Sequence, residues 1–245
     1  MTQTPRGHNL TTGILNRLGT AIVTGKYGPH NPLPIEAELC VQLGASRSVL
    51  REAIKMLTAK GLVSSRPRHG TQVQPEERWN LLDPDVLRWL LERKFSLELL
   101  AQFTEVRMAI EPTAATIAAQ RANTKDLAAA RRAIERMRAA ARGEDDPLES
   151  DIAFHVAILH ATRNRFYIQL GGFIDTALRT SIQLTNRVKG VALADVDAHQ
   201  AILTSIEKRD GASAAAAMKS ILQEVLDLIA TARAGGRKAR DRVIG

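Results

Sequence analysis

Residues 32–73 read PLPIEAELCVQLGASRSVLREAIKMLTAKGLVSSRPRHGTQV, and this stretch decides the fold of the N-terminal part of the chain. Within it, Gly44 supplies a turn, Ser46 supplies an N-cap, and apolar residues recur at helical spacing over 49–57. The pattern predicts a helix with one buried face. The opposite face carries hydroxyl and cationic side chains: Arg47, Ser48, Arg51 and Lys55. Such a face suits the major groove of DNA, although the arginines could also simply solvate the helix.

The flanking residues complete a winged helix-turn-helix. Residues 35–43 form the first predicted helix of the motif, and Gly61 ends the second one. Residues 62–65 and 71–74 are predicted to form two short strands around a basic tip that contains glycine. A tip of this kind can approach a DNA backbone or a minor groove closely.

These motifs resemble a known family. The string LPxExELxxxLGxSRxxxREAxxxLxxxGLV, followed by a wing with a basic-His-Gly tip, is similar to the GntR superfamily of bacterial transcription regulators over residues 10–74. The resemblance implies that the chain binds double-stranded operator DNA. By the same resemblance the DNA contacts are made by five residues: Arg47, Ser48, Arg51, His69 and Gly70.

Length and composition fit a regulator with two domains. The chain has 245 residues, of which 44% are hydrophobic and only 4% aromatic, which is typical of a largely helical protein. It contains neither a signal-peptide pattern nor an apolar run of the ~20 residues that span a bilayer. The single cysteine, Cys40, offers no disulfide framework. We therefore expect a cytoplasmic protein without a membrane partner.

Positive charge is concentrated at the two ends of the chain. Residues 1–78 carry a net charge of +5, residues 79–232 carry −1, and the last thirteen residues carry +4, which together give the overall +8. The excess on the predicted DNA-binding part is what phosphate binding requires.

We predict a mainly α-helical chain with four segments. Residues 9–75 form the winged helix-turn-helix domain, 76–83 a linker, 84–233 an all-α domain for effector binding and dimerisation, and 234–245 a basic, disordered tail. Helices are expected at 96–120, 124–142, 147–162, 164–188, 194–208 and 211–233. Trp79 and Trp89 flank the expected boundary and are predicted to pack the two domains together.

The helical part contains few residues that indicate chemistry. Asp151 and His155 are four residues apart and share one helix face, while His199 lies in a later helix. An acidic residue and two imidazoles that converge inside a bundle could hold a divalent metal or a polar ligand. From spacing alone, a structural pair satisfied by its neighbours is an equal alternative.

A second resemblance covers this part. The segments EVRMAIEPTAATIAA at 105–119, D-x3-H at 151–155 and HQAILTSIEKRD at 199–210 are similar to the FCD effector domain of the FadR subfamily. This implies a helical bundle that binds a small carboxylate, often through a metal such as zinc held by one aspartate and three histidines. The matching positions are Asp151, His155 and His199, and Ile221 stands where the last histidine would fall. The metal site is therefore incomplete.

Further effector contacts are expected around this site. Arg107 matches a position near the pocket and could clamp a carboxylate, or it could pair with Glu111 four residues later. Arg179, Ser181 and Asn186 lie in a helix with scattered polar residues and could bind hydroxyl groups of the ligand. The segment WNLLDPDVLRW at 79–89 and the missing histidine resemble regulators of sugar-acid catabolism, which implies an aldonate effector.

The sequence thus predicts a ligand-responsive regulator rather than an enzyme. We expect a homodimer that represses transcription and leaves its operator when a small acid binds. One alternative is a metal-dependent hydrolase built on Asp151, His155 and His199, but no separate general base or nucleophile is evident. Another is a non-specific architectural protein that binds DNA through its basic tail.

Overall fold

A computed structural model describes residues 6–28, 30–66, 70–93, 97–179 and 195–244 and confirms a mainly α-helical chain with a small hairpin. The chain divides into two compact units, Met1–Lys94 and Phe95–Gly245. Within the described ranges, no helix is both long and apolar enough to cross a membrane. The first unit contains α1 (Arg6–Val23), α2 (Glu36–Leu43), α3 (Arg47–Ala59), β1 (Val63–Arg66), β2 (Gly70–Val73), a 3₁₀ turn (Glu76–Arg78) and α4 (Pro84–Arg93). The second contains α5 (Leu97–Arg121), α6 (Thr124–Ala141), α7 (Pro147–Ala161), α8 (Arg165–Gln169), α9 (helical over 171–179), α10 (Val196–Glu207) and α11 (Gly211–Ile244).

The helix-turn-helix forms where the sequence predicts it. Gly44 ends α2 in the left-handed region at φ 64°, which glycine adopts without a steric penalty. The Ser46 hydroxyl then accepts a hydrogen bond from the backbone N–H of Val49 and caps α3. The inner face of α3 is buried through Leu50, Ala53 and Leu57. Burial of this face fixes which side of α3 remains exposed.

The wing follows directly from the end of α3. Gly61 has φ 78°, and a Cβ at this position would lie 2.3 Å from the carbonyl oxygen of Arg78. Only glycine therefore fits this turn. β1 and β2 then pair in antiparallel register from Val63 opposite Val73 to Arg66 opposite Gly70. β1 lies one residue later, and β2 one residue earlier, than predicted from the sequence. The predicted contact His69 lies outside the described residues.

The helix α4 lies within the first compact unit, Met1–Lys94, whereas the sequence analysis placed it in the second domain after a linker at 76–83. The Lys60 ammonium donates to Asp83 and lies 2.9 Å from Asp85, which ties the end of α3 to the start of α4. Burial lowers the pKa of Lys60, but the two carboxylates outweigh this effect and raise it above its usual value. The second compact unit starts at Phe95, eleven residues after the predicted start of the second domain at residue 84.

Both tryptophans also pack inside the first unit, which corrects their predicted role between domains. The ring of Trp89 lies against Gly19 of α1, and its Nε1 donates to the Asn16 side chain. The Trp79 Nε1 donates to the backbone carbonyl of Gln74. Trp89 is fully buried, so it is a core residue of the first unit.

The second unit is a bundle in which α11 packs along α5, α6 packs against α7, and α10 contacts α5, α6 and α11. The helix starts follow from local sequence. Asn123 and Asp126 form a capping box at α6, Asp146 caps α7 ahead of Pro147, and Asp195 caps α10. These caps fix the ends of the helices that carry the polar interior residues.

Two helices differ from their predicted extents. The predicted helix 164–188 is divided into α8 and α9 as far as residue 179, and residues 180–194 lie outside the described part. The final helix continues to Ile244, whereas a disordered tail was predicted from residue 234. Local charge and glycine content favoured an end at 233, but the helix continues beyond Gly235 and Gly236.

The contact between Gly19 and Trp89 leads to a stability prediction. A Cβ at Gly19 would lie 2.4 Å from the Trp89 ring, so Gly19→Ala should lower the free energy of unfolding by about 1–3 kcal/mol. Gly13→Ala is the matched control, because a Cβ there meets no atom within 4 Å. This substitution should raise the free energy of unfolding by about 0.5–1 kcal/mol, since alanine has the higher helix propensity.

Urea unfolding followed by tryptophan fluorescence measures this effect, since both tryptophans lie in the first unit. If Gly19→Ala were as stable as Gly13→Ala, the close packing of α1 on α4 would be wrong.

Candidate functional site

The predicted DNA-contact residues of α3 lie on one exposed face of the first unit. Arg47 and Ser48 occupy the first turn, and Arg51 follows one turn later with 67% of its side chain exposed. The Ser48 hydroxyl is 3.0 Å from that of the capping Ser46. A helix N-terminus with exposed arginine and hydroxyl groups has the form that enters a major groove.

The wing lies beside this helix. Gly70, at the start of β2, has φ 69° and is exposed. A groove of about 720 Å³ lies between the start of α2, the exposed side of α3 and strand β2. Arg51 and Gly70 both line this groove, so the structure brings one predicted helix contact and one predicted wing contact to the same side of the first unit.

In the second unit, five charged or titratable side chains are buried together. Arg107 and Glu111 come from α5, Asp151 and His155 from α7, and His199 from α10. None of them is more than 7% exposed. The two pairs on α5 and α7 each have a spacing of four residues, which places both members on the same helix face.

Three of these side chains converge on one point. The Oδ1 atom of Asp151 lies 3.3 Å from Nε2 of His155 and 3.2 Å from Nε2 of His199. The possible ligand atoms of the three residues all lie within 4.8 Å of one another. The structure thus brings together the predicted ligands from two helices.

The outer nitrogen of each imidazole has its own partner. Nδ1 of His199 lies 2.6 Å from the backbone carbonyl oxygen of Asp195, which can only accept a hydrogen bond. Nδ1 of His155 lies 2.6 Å from Oε2 of Glu111. Both Nδ1 atoms therefore carry hydrogen, and in neutral rings both Nε2 atoms present lone pairs to Asp151.

The convergence leaves polar atoms unsatisfied. Oδ1 of Asp151 and Nε2 of His199 are buried and have no hydrogen-bond partner in the described part of the chain. A carboxylate oxygen and an imidazole lone pair repel each other unless a cation or a proton lies between them. Oxygen and nitrogen donors in this arrangement fit a divalent ion such as Zn²⁺.

The pKa values of the buried side chains are set mainly by the charges of one another. Burial lowers the pKa of His155, but the carboxylates of Glu111 and Asp151 outweigh it and raise the value to about 9. Burial raises the pKa of Glu111, yet Arg107 and His155 bring it down to about 2. The pKa of Asp151 lies well below its usual range despite burial, because it faces two histidines. A metal ion would therefore compete with a proton for Nε2 of His155.

Arg107 forms an ion pair with Glu111, which is one of the two roles that the sequence analysis left open for it. Its Nε donates to Oε1 of Glu111 at 2.6 Å and its Nη2 to Oε2 at 3.3 Å. The guanidinium also lies over the Phe103 ring, 5.9 Å from its centroid. Its other predicted role, contact with an effector, stays a prediction.

Glu111 is the site residue that sequence reasoning missed. It was considered only as the partner of Arg107, yet it also holds Nδ1 of His155 and so orients an imidazole that was predicted to bind a metal. The four-residue spacing from Arg107 was the available signal. It indicated an ion pair, but the contact with α7 depends on tertiary packing.

In the described part of the chain, the other residues that were predicted to contact the effector do not lie at this cluster. Arg179 is half-exposed and bonds Glu149 and Asp175. Ser181 and Asn186 lie outside the described part of the chain. Ile221, at the position of the missing histidine, is half-buried on α11 and offers no ligand atom.

The buried ion pair leads to a second prediction. Glu111→Met leaves the Arg107 guanidinium buried without its carboxylate and should destabilise the second unit by about 3–5 kcal/mol. The double variant Arg107→Met/Glu111→Met removes both charges and should recover part of that loss.

Urea unfolding followed by circular dichroism measures these changes, with tryptophan fluorescence as a control confined to the first unit. If the double variant lost as much stability as the sum of the two single variants, the pair would not be coupled.

Two family models match the chain. Residues 10–73 match the model described as bacterial regulatory proteins, gntR family. Residues 102–224 match the FCD domain model. The two matches fall in the first and the second unit respectively, and they contain the exposed face of α3 and the buried cluster.

Similar proteins extend over most of the chain. The galactonate operon transcriptional repressor of Escherichia coli is 36% identical over 207 residues, which cover 84% of this chain and 90% of that protein. An uncharacterized HTH-type transcriptional regulator of Escherichia coli, YieP, is 32% identical over 88% of this chain and 93% of its own length.

A solved structure is also similar in fold. It is the structure of Lar, which controls the expression of the Listeria monocytogenes agr system and mediates virulence. It is 18% identical in sequence, has a TM-score of 0.61, and the likeness covers 94% of this chain and 99% of that one.

Proposed function

Since this chain belongs to the GntR family of bacterial transcription regulators and carries an FCD domain, we propose that it represses a sugar-acid catabolic operon and leaves its operator when an aldonate such as galactonate binds. The family makes it a DNA-binding regulator rather than an enzyme. The name of its relative, the galactonate operon repressor, supports the class of effector. The convergence of Asp151, His155 and His199 carries the proposal that the second unit binds a ligand.

On the DNA side, the exposed face of α3 enters the major groove of the operator. Arg47, Ser48 and Arg51 make the helix contacts, and His69 and Gly70 act from the wing. Two copies of the chain form a homodimer, so two such helices read the two halves of a palindromic site. The basic excess of residues 1–78 supports phosphate binding beside these contacts.

In the second unit, Asp151, His155 and His199 hold a divalent metal, with Glu111 and the Asp195 carbonyl orienting the two imidazoles. When bound, the metal supplies positive charge and open positions for oxygen ligands. Three protein ligands leave more of these positions than four would, and an aldonate offers carboxylate and hydroxyl oxygens to fill them.

The charge of the cluster explains why an anionic effector needs the metal. Without a metal, Arg107 and the protonated His155 contribute two positive charges, while Glu111 and Asp151 contribute two negative charges. The side chains alone therefore carry no net charge, and a carboxylate added to them would be a buried negative charge without compensation. A divalent ion in place of the proton on His155 would give the cluster a net positive charge, which a sugar-acid anion would neutralise.

Release from DNA requires that the acid binds the two states of the protein differently. An effector that had equal affinity for the free and the operator-bound form would shift nothing. Arg107 and Glu111 lie on α5, which starts at Leu97 soon after the end of the first unit. We therefore take α5 as the element through which the effector site acts on the DNA-binding unit.

The function is tested by fluorescence anisotropy with duplex DNA from the region upstream of the protein's own gene. We expect tight binding that one member of an aldonate panel reverses, while small acids without a hydroxyl chain leave the complex intact. Binding that no aldonate weakens would contradict the proposed effector, and equal binding to a scrambled duplex would contradict a specific operator.

The metal is tested separately by competition with a chromophoric zinc chelator. His199→Ala should weaken Zn²⁺ binding by at least tenfold, because it removes one of three protein ligands. His160→Ala is the matched control, since this histidine lies on the same helix as His155 but is exposed. If both variants bound Zn²⁺ like the wild type, the cluster would not be the metal site.

A further inference from the structure

Arg51 is held by a residue that belongs to a different helix. Both carboxylate oxygens of Glu36, the first residue of α2, accept from Nε of Arg51 at distances of 3.1 and 3.0 Å. The hydrogen bond with Glu36, together with its charge, raises the pKa of Arg51 above its usual value. Arg47 differs, because no carboxylate lies within ion-pair distance of it in the described part of the chain.

The position of the carboxylate leaves a defined part of the guanidinium free. Glu36 engages Arg51 through Nε, and neither Nη1 nor Nη2 of Arg51 has a hydrogen bond to another described residue. Two parallel N–H groups at the end of an arginine match the O6 and N7 acceptors of guanine. Holding a long side chain in place before binding also reduces the conformational entropy that is lost in the complex.

Charge decides between a guanine and a phosphate as the partner of Arg51. The pair of Arg51 and Glu36 is neutral as a whole, and a phosphate on the guanidinium would lie close to the Glu36 carboxylate. A guanine edge carries no net charge and meets no such repulsion. The unpaired cation of Arg47 is better suited to a phosphate.

We infer that Glu36 is a positioning residue that makes Arg51 a reader of guanine in the operator, while Arg47 anchors the DNA backbone. This inference rests on the proposed DNA-binding function. It adds a residue of α2 to the recognition surface and assigns different tasks to the two arginines of α3. Glu36 contributes to specificity, because as an acid it cannot add to the general attraction for DNA.

The test uses the full chain and the duplex that it enriches most strongly from a randomised library. Each guanine of this duplex is replaced in turn by 7-deazaguanine, which lacks the N7 acceptor, and affinity is measured by fluorescence anisotropy at several salt concentrations. The variants are Arg51→Ala, Arg47→Ala, Glu36→Ala and the double variant Arg51→Ala/Glu36→Ala. Glu38→Ala is the matched control, because Glu38 is another exposed acid of the first turn of α2.

We expect one guanine in each half-site whose replacement weakens wild-type binding about tenfold but leaves Arg51→Ala unaffected. The Glu36→Ala variant should lose most of this sensitivity to 7-deazaguanine. Its affinity for the enriched duplex, divided by its affinity for a scrambled duplex, should fall about tenfold. In the Arg51→Ala background, the Glu36→Ala substitution should have no further effect. Arg47→Ala should reduce the slope of log affinity against log salt by about 0.9, and Arg51→Ala should leave that slope unchanged.

Three results would overturn the inference. Glu36→Ala and Glu38→Ala could change the affinities for the enriched and the scrambled duplex by the same factor. Glu36 would then act only through its general charge. Glu36→Ala could keep the wild-type sensitivity to 7-deazaguanine, or no guanine could depend on Arg51. If the wild type itself bound enriched and scrambled duplexes equally, the proposed operator function would fail instead.

Discussion

A single carboxylate oxygen sets the constraint on which the effector unit depends. Oδ1 of Asp151 is buried, has no hydrogen-bond donor in the described part of the chain, and faces the Nε2 atoms of two histidines. A buried negative charge is stable only with a compensating positive one. Because His199 donates its other N–H to a backbone carbonyl, its lone pair is directed at this oxygen rather than away from it. The packing of α7 and α10 therefore places this oxygen where a cation would compensate its charge.

The same constraint links the site to α5. Glu111 holds the imidazole of His155 and is itself neutralised by Arg107, so three helices share one buried chain of charges. Any ligand that changes the charge at Asp151 therefore also changes the electrostatic interactions among His155, Glu111 and Arg107. A bundle joined in this way can convert the binding of a small anion into a changed preference between two states of α5, which is the physical requirement for an allosteric repressor.

Much of this architecture could be predicted from the sequence, because local signals agree with tertiary packing. Gly44 and Ser46 specify the turn and cap of the helix-turn-helix, and the D-x3-H spacing places Asp151 and His155 on one helix face. Features that depend on long-range contacts could not be predicted. The contact of Glu111 with α7 and the docking of α4 on the first unit are examples, since the pattern of α4 alone fits either unit equally well.

The central claim is that the metal and the acid bind as a coupled pair in the buried cluster. Calorimetric titration of galactonate into the zinc-saturated full chain, and into the same chain after chelation, tests it most directly. We expect binding to the zinc form and a loss of at least tenfold in affinity without the metal, because the metal-free cluster has no net positive charge to attract an anion. Equal affinity in the two forms would contradict the account, since the acid would then bind without a cation at Asp151.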